Sequence, residues 1–167
     1  KPYGLLALEE RVAERLLFRK LKTALGLDRL RIAVSAAAAI RKEVLEFFLS
    51  LQLPIYEAYG QSECSGPLSC CTVEPGGTRL GTVGRPLPGT TCQLGPDGEI
   101  LLQGPNVFVG YFKDPAATAA TLADGWLHTG DIGELDADGF LKVTDRKKDL
   151  FKTSGGKYVA PQPIEGQ

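Results

Sequence analysis

Five consecutive residues, Tyr59-Gly60-Gln61-Ser62-Glu63, bring together an aromatic ring, a glycine, a hydroxyl and a carboxylate. These types suit a nucleotide. Tyr59 can cover a purine face, Gly60 permits close backbone approach, Ser62 can donate to a phosphate oxygen, and Glu63 can hold Mg²⁺, which takes oxygen ligands and usually shares them with substrate phosphates. The same five residues also read as a polar turn beside a core tyrosine. A second set, Gly125-Trp126-Leu127-His128-Thr129-Gly130-Asp131, ends an apolar run with a carboxylate after a glycine, a placement that can accept two hydrogen bonds from a ribose diol. Its alternative is a turn aspartate satisfying nearby backbone amides, with His128 structural rather than a base. The third set is Asp145-Arg146-Lys147-Lys148-Asp149 followed by Lys152-Thr153-Ser154-Gly155-Gly156-Lys157. Arg146 is suited to fork-like hydrogen bonding, while a charge run also reads as a solvated face.

Cysteine and histidine carry no comparable pattern. Cys64, Cys70, Cys71 and Cys92 lack paired C-x-x-C spacing, and the single His128 forms no ligand set with them. They read as small buried or half-buried residues in a reducing, cytoplasmic compartment.

The elements that must position these groups follow from periodicity. Leu5, Leu8, Val12, Leu16, Leu21 and Leu25 recur at helical spacing, which predicts an amphipathic helix over 5–25 stopped by Gly26 and Asp28. Leu30-Arg31-Ile32-Ala33-Val34 predicts a buried strand. A helix over 38–51 with the face Ile40, Val44, Phe47, Phe48 and Leu51 comes next, and a second strand follows at Pro54-Ile55-Tyr56-Glu57-Ala58-Tyr59. Strand, helix, strand implies a right-handed parallel crossover, and ligands in such sheets sit beyond the carboxyl ends of the strands, here 35–39 and 60–66. Beyond Gly66, glycine and proline become frequent and short apolar runs alternate with turns. Strands are predicted at 98–102, 125–129 and 139–143, with turns at Asp97-Gly98 and Asp138-Gly139 and a short helix over 115–122.

The 167 residues are 43% hydrophobic and 23% charged, the composition of an ordinary folded chain rather than a disordered one. Nineteen Lys and Arg against twenty Asp and Glu leave a net charge of -1, so no bulk field recruits nucleic acid. The longest nearly apolar run, 32–40, is far short of the roughly 18 residues that span a bilayer, so no transmembrane segment is expected, and peripheral membrane contact is left open. The chain starts at Lys1, contains no methionine and shows no charged-then-apolar leader, so it is expected to be part of a longer polypeptide.

Taken in order and spacing, the three constellations, with GTVGRPLPG, GEILLQGPNVFVGYFKDPAATAATLADGWLHTGD and DRKKDLFKTSGGKYVAP, resemble the adenylate-forming superfamily of AMP-forming acyl-CoA synthetases. The run LFKTSGGKYVAPQPIE is most similar to long-chain fatty acid–CoA ligases. The resemblance implies an α/β fold: 1–75 the later part of a parallel α/β nucleotide-binding subdomain, 76–144 a small antiparallel β subdomain, and 145–167 a hinge and the start of a C-terminal α+β domain. It also implies the substrates fatty acid, ATP and CoA, with AMP as product and Mg²⁺ as the metal. An aryl- or amino-acid-adenylating ligase, or a non-catalytic nucleotide-binding module of the same fold, stands as the alternative.

The same resemblance implies roles. Tyr59 would pack on adenine with Gly60 beside it, Ser62 would contact the α-phosphate, and Glu63 would bind Mg²⁺, the last two being the catalytic pair. Asp131 would hold the ribose hydroxyls with help from Arg146. Lys148 occupies the hinge position, and Lys152, Gly155 and Gly156 fall in the loop that serves the thioester step. Ala37 and Ala38 would present backbone to adenine, although the family usually has glycine in this run and the methyls narrow that approach. A phosphate loop is expected before Lys1 and a catalytic lysine after Gln167.

Overall fold

The computed structural model describes residues 12–13 and 17–147, and the backbone of 151–152 and 158–159. Residues 5–11 and 14–16 of the helix predicted over 5–25 therefore lie outside the described residues. Its described end is α1 (Arg19–Ala24), closed by Gly26 at φ 71°, with the Leu27 amide reaching back to the Lys22 carbonyl at 2.7 Å. Glycine suits this left-handed closing position because it carries no Cβ.

The chain divides into two compact units, one of Lys1–Ala33 and Glu43–Ile55, the other of Val34–Lys42 and Tyr56–Gln167. In the first, the predicted second helix is α2 (Lys42–Ser50), which buries Leu45, with Leu51 and Leu53 buried after it. Phe47, placed on the inner face by the sequence pattern, is instead 57% exposed. The inward stripe runs through half-buried Val44 and Phe48 and buried Leu45 and Leu51, the i, i+1, i+4, i+7 spacing of one helical face, and Phe47 falls off it.

The strand–helix–strand pattern leads into a four-stranded sheet. Strands β1 (Ala33–Ser35), β2 (Ile55–Gln61), β3 (Gly66–Cys70) and β4 (Arg85–Pro86) lie in the order β1-β2-β3-β4, with β2, β3 and β4 paired antiparallel. A second sheet holds β5 (Thr91–Leu94), β6 (Glu99–Gln103), β7 (Leu122–Ala123), β8 (Trp126–Leu135) and β9 (Leu141–Arg146). Its order is β5-β6-β8-β7, with β9 on β8, and every pairing is antiparallel. Helix α3 (Pro115–Thr121) precedes β7, started by Asp114, whose side chain accepts from the Ala117 amide at 2.9 Å, and by proline in its first turn. Strands β10 (Phe151–Lys152) and β11 (Tyr158–Val159) pair with each other, antiparallel.

Central strand β6 is buried on both faces through Glu99, Ile100, Leu101 and Leu102. Ile100 and Leu102 join Leu68, Leu127, Leu141 and Cys64 in one apolar core, against which Tyr59 packs. Each fully buried leucine or isoleucine contributes about 1.5–3 kcal/mol relative to exposure, so this cluster sets the frame from which the polar groups project.

Candidate active site

At the end of β2 the chain turns sharply. The sheet register shifts between Tyr59 and Gly60, and a Cβ built on Gly60 would overlap the Gly66 carbonyl and lie 2.7 Å from the Pro67 Cα. Gly60 thus lets β3 close against β2. A 3-10 turn over Ser62–Cys64 follows, held by the buried Cys64 sulfur, which accepts from the Gln61 amide at 3.3 Å. The turn presents Ser62 at the rim of a pocket of about 470 Å³ lined also by Ala36, Ala37, Tyr59 and Gly60. Ala38 does not line it. Ala37 sits at φ 72°, in the left-handed region that glycine occupies without strain.

Glu63 points to other partners. Its carboxylate accepts the Tyr111 hydroxyl at 2.6 Å, and its carbonyl accepts the Phe108 amide at 2.8 Å; the Phe108 and Tyr111 rings meet edge to face. The bond to Glu63, more than burial, raises the Tyr111 pKa above the ordinary tyrosine value. Among the described residues, one Glu63 oxygen has no hydrogen-bond partner and neither does the Ser62 hydroxyl.

Asp131 and Arg146 are directly opposed in the β8–β9 register, where Arg146 Nε lies 3.3 Å from Asp131 Oδ1. The Asp131 side chain is 7% exposed and that of Arg146 55%. Tyr59 donates its hydroxyl to Asp131 Oδ2 at 2.5 Å. Tyr59 therefore borders the Ser62 pocket and holds Asp131, linking two sets separated by 72 positions. Burial first, and then the bond to Asp131, raise the Tyr59 pKa well above the ordinary range. Thr129 supports the same corner: its hydroxyl donates to the Ile100 carbonyl at 2.7 Å and accepts the Asp131 amide at 3.2 Å.

Beneath Asp131 lies a group the sequence did not single out. The Glu99 side chain, 5% exposed, accepts the Gly130 amide at 2.9 Å and Lys147 Nζ at 2.8 Å, and lies 3.0 Å from His128 Nδ1. Asp97 takes Lys147 as well, at 2.8 Å. Burial pushes the Glu99 pKa up, but Lys147, His128 and the Gly130 amide together outweigh it and leave the carboxyl below its ordinary value. Lys147 is raised by Asp97 and then Glu99.

Of the residues named from sequence, Ala37, Tyr59, Gly60 and Ser62 share one pocket, while Asp131 and Arg146 are joined to it through the Tyr59 hydroxyl. Glu63 is beside Ser62 in the turn. Lys148, Gly155 and Gly156 lie outside the described residues, and of Lys152 only the backbone, in β10, is described. Tyr111, Thr129, Glu99 and Lys147 were missed as site residues. Each lies inside a motif string that carried the resemblance, which was the available signal. The donor set fits a nucleotide with a metal: Asp131 retains lone pairs beyond those used by Tyr59 and Arg146, and Glu63 has an oxygen free for Mg²⁺, an ion that usually takes one or two carboxylates together with phosphates.

A family model described as AMP-binding enzyme matches residues 6–112. The chain is 47% identical over 156 residues to the putative fatty-acid–CoA ligase fadD11 of Mycobacterium tuberculosis, covering 92% of this chain and 27% of that one. It is 44% identical over 165 residues to long-chain-fatty-acid–CoA ligase 1 of Homo sapiens, covering 91% of this chain and 23% of that enzyme. It thus spans about a quarter of the length of these relatives. Among solved structures, the o-succinylbenzoate coenzyme A synthetase of Bacillus subtilis in complex with ATP and magnesium matches at a TM-score of 0.72 and 32% identity, over 81% of this chain and 30% of that one.

Proposed function

The chain belongs to the family of AMP-binding enzymes, and from that premise we propose that it carries the adenylate-binding part of a site that activates a long-chain fatty acid with ATP and passes the acyl group to CoA. The observation that carries the reading is the Tyr59–Asp131–Arg146 linkage, which ties the Ser62 pocket to a carboxylate poised for a sugar diol. The fatty-acyl assignment draws on the relatives, of which two named as fatty-acid–CoA ligases are 44% and 47% identical.

In this reaction a fatty carboxylate oxygen attacks the α-phosphorus of ATP and pyrophosphate leaves. The CoA thiolate then attacks the acyl carbonyl and AMP leaves. Tyr59 lies against the adenine with the backbone of 36–37 opposite, Asp131 accepts the ribose hydroxyls, and Arg146 holds Asp131 in place while sharing in the ribose contact. Ser62 donates its otherwise unused hydroxyl to the α-phosphate, placing it for in-line attack. Glu63 would hold Mg²⁺ through the oxygen that Tyr111 leaves free, and the ion when bound supplies charge that offsets the triphosphate. Lys148 serves as the hinge, and Lys152, Gly155 and Gly156 as the loop brought to the site for thioester formation. The four free cysteines support a reducing, cytoplasmic compartment. Among the described residues no helix is long and apolar enough to cross a membrane.

Pyrophosphate exchange by the intact protein, measured across fatty, aryl and amino acids, tests the acid class. Exchange driven by aryl or amino acids and not by long-chain fatty acids would reject it. Asp131→Ala in the same assay tests the ribose role: hydrogen bonds to a charged group are each worth about 1.5–3 kcal/mol, so kcat/KM for ATP is expected to fall at least tenfold. Unchanged ATP dependence would reject that assignment.

A further inference from the structure

Glu99 is costly to keep where it is. Its side chain is 5% exposed in the middle strand of a sheet, and the residues that follow it, Ile100, Leu101 and Leu102, are all buried and apolar. A sheet that needed only stability could carry an apolar residue here, since replacing a buried ion pair with well-packed apolar groups is often neutral or stabilising. The partners of Glu99 show a different use. Its Oε1 accepts the amide of Gly130, the residue immediately before Asp131, and its Oε2 accepts Lys147, the residue immediately after Arg146. One carboxylate therefore grips both strands at the same end of the cross-strand pair Asp131 and Arg146. Gly130 sits at φ 73°, a left-handed residue inside β8 immediately before Asp131.

The backbone ladder sets Asp131 opposite Arg146, but it is irregular close by. The β6–β8 register shifts between Glu99 and Leu101, and the β8–β9 register shifts between Ile132 and Gly133. Regular pairing is thus broken on both sides of Asp131, and bulges of this kind re-aim side chains. Asp97 reinforces the arrangement, taking Lys147 at 2.8 Å while its Oδ1 accepts the Glu99 amide at 3.2 Å. We propose that Glu99, acting with Lys147, is the positioning residue of the ribose site: it fixes where the Asp131 carboxylate and the Arg146 guanidinium stand, without touching the nucleotide. The inference rests on the reading of Asp131 as the ribose acceptor.

The test compares ATP with 2′-deoxy-ATP in the intact protein, because the ratio of their kcat/KM values reports the hydroxyl contact alone. A purely structural defect lowers the use of both nucleotides in proportion and leaves the ratio where it was. The wild type should favour ATP by roughly tenfold, the value of one hydrogen bond to a charged group. Asp131→Ala should bring the ratio close to one. Glu99→Gln keeps the side-chain volume but cannot accept from both Gly130 and Lys147, and it should lower the ratio several-fold; Lys147→Met should do the same and Lys147→Arg restore it. Lys147 is half exposed, so its variants carry the test should Glu99→Gln not fold. A wild-type ratio in Glu99→Gln and Lys147→Met, with the ratio lost in Asp131→Ala, overturns this inference and leaves the ribose reading intact. A wild-type ratio in Asp131→Ala overturns both.

Discussion

Tyr59 can act through its hydroxyl as well as its ring. With its pKa raised by burial and by Asp131, it stays a donor at any working pH and holds one Asp131 oxygen in a fixed direction. Tyr59→Phe keeps the ring and removes that bond, so KM for ATP is expected to rise about tenfold, on the scale of about 1.5–3 kcal/mol for a hydrogen bond to a charged group, with affinity for the base largely retained. A KM within twofold of wild type in nucleotide-dependent kinetics would show that Tyr59 contributes only its ring. The sequence made this residue visible as an aromatic near a carboxylate, but the partner of its hydroxyl, 72 positions on, was not legible. Glu99 was hidden for the same reason, since its contacts lie 31 and 48 positions away and the residue itself sits in a run that reads as plain strand. Asp131 and Arg146 were legible through the motifs around them, whereas their pairing depended on a strand register.

The elements show why some sequence signals are local and others are not. The turns at Asp97-Gly98 and Asp138-Gly139 were readable because the geometry they need is written in two residues, and both glycines have positive φ, 82° and 80°. Strand β8 was expected over 125–129 and runs instead over Trp126–Leu135, since a glycine pattern suggesting an end at Gly130 gives no information about the β9 partner that continues it. The first strand was expected over 30–34 and begins later, at Ala33. Gly60 read as a glycine for nucleotide approach, and the structure gives it a second demand from its own neighbour: β3 passes where a Cβ would be. Gly60→Ala must push β2 and β3 apart and is expected to cost about 1–3 kcal/mol in denaturant unfolding, the usual scale of overpacking, and to lower ATP use by shifting Ser62. Unchanged stability would mean that the two strands separate freely there. Ala37 marks the reverse case, where a residue with a Cβ holds a left-handed conformation at about 1–2 kcal/mol of cost, strain of the kind that gathers at binding sites.

At the scale of the molecule, the order of the motifs was legible because order is what a sequence records, while their meeting through Tyr59 and Glu99 is a property of the sheets. That meeting has a charge signature that can be measured. Glu99 and Asp97 both titrate below their ordinary values of 4.5 and 3.8 in the fold, Glu99 because its partners outweigh burial and Asp97 chiefly because of Lys147. Depressed carboxyls contribute stability that is fully present above the unfolded values and is lost as pH falls through the folded ones. Lys147 has the opposite sign: raised above 10.5, it contributes below that value and its share is lost as pH climbs through its folded value. Asp97 and Lys147 are about half exposed, so solvent screening leaves them a small share and the buried Glu99 the larger one. The stability difference between wild type and Glu99→Gln is therefore expected to shrink as the pH drops below 4.5, the ordinary glutamate value. Unfolding midpoints in denaturant through that drop decide it. A difference that stays level down to the lowest pH at which both proteins fold would mean that Glu99 is not the ionised anchor of Gly130 and Lys147.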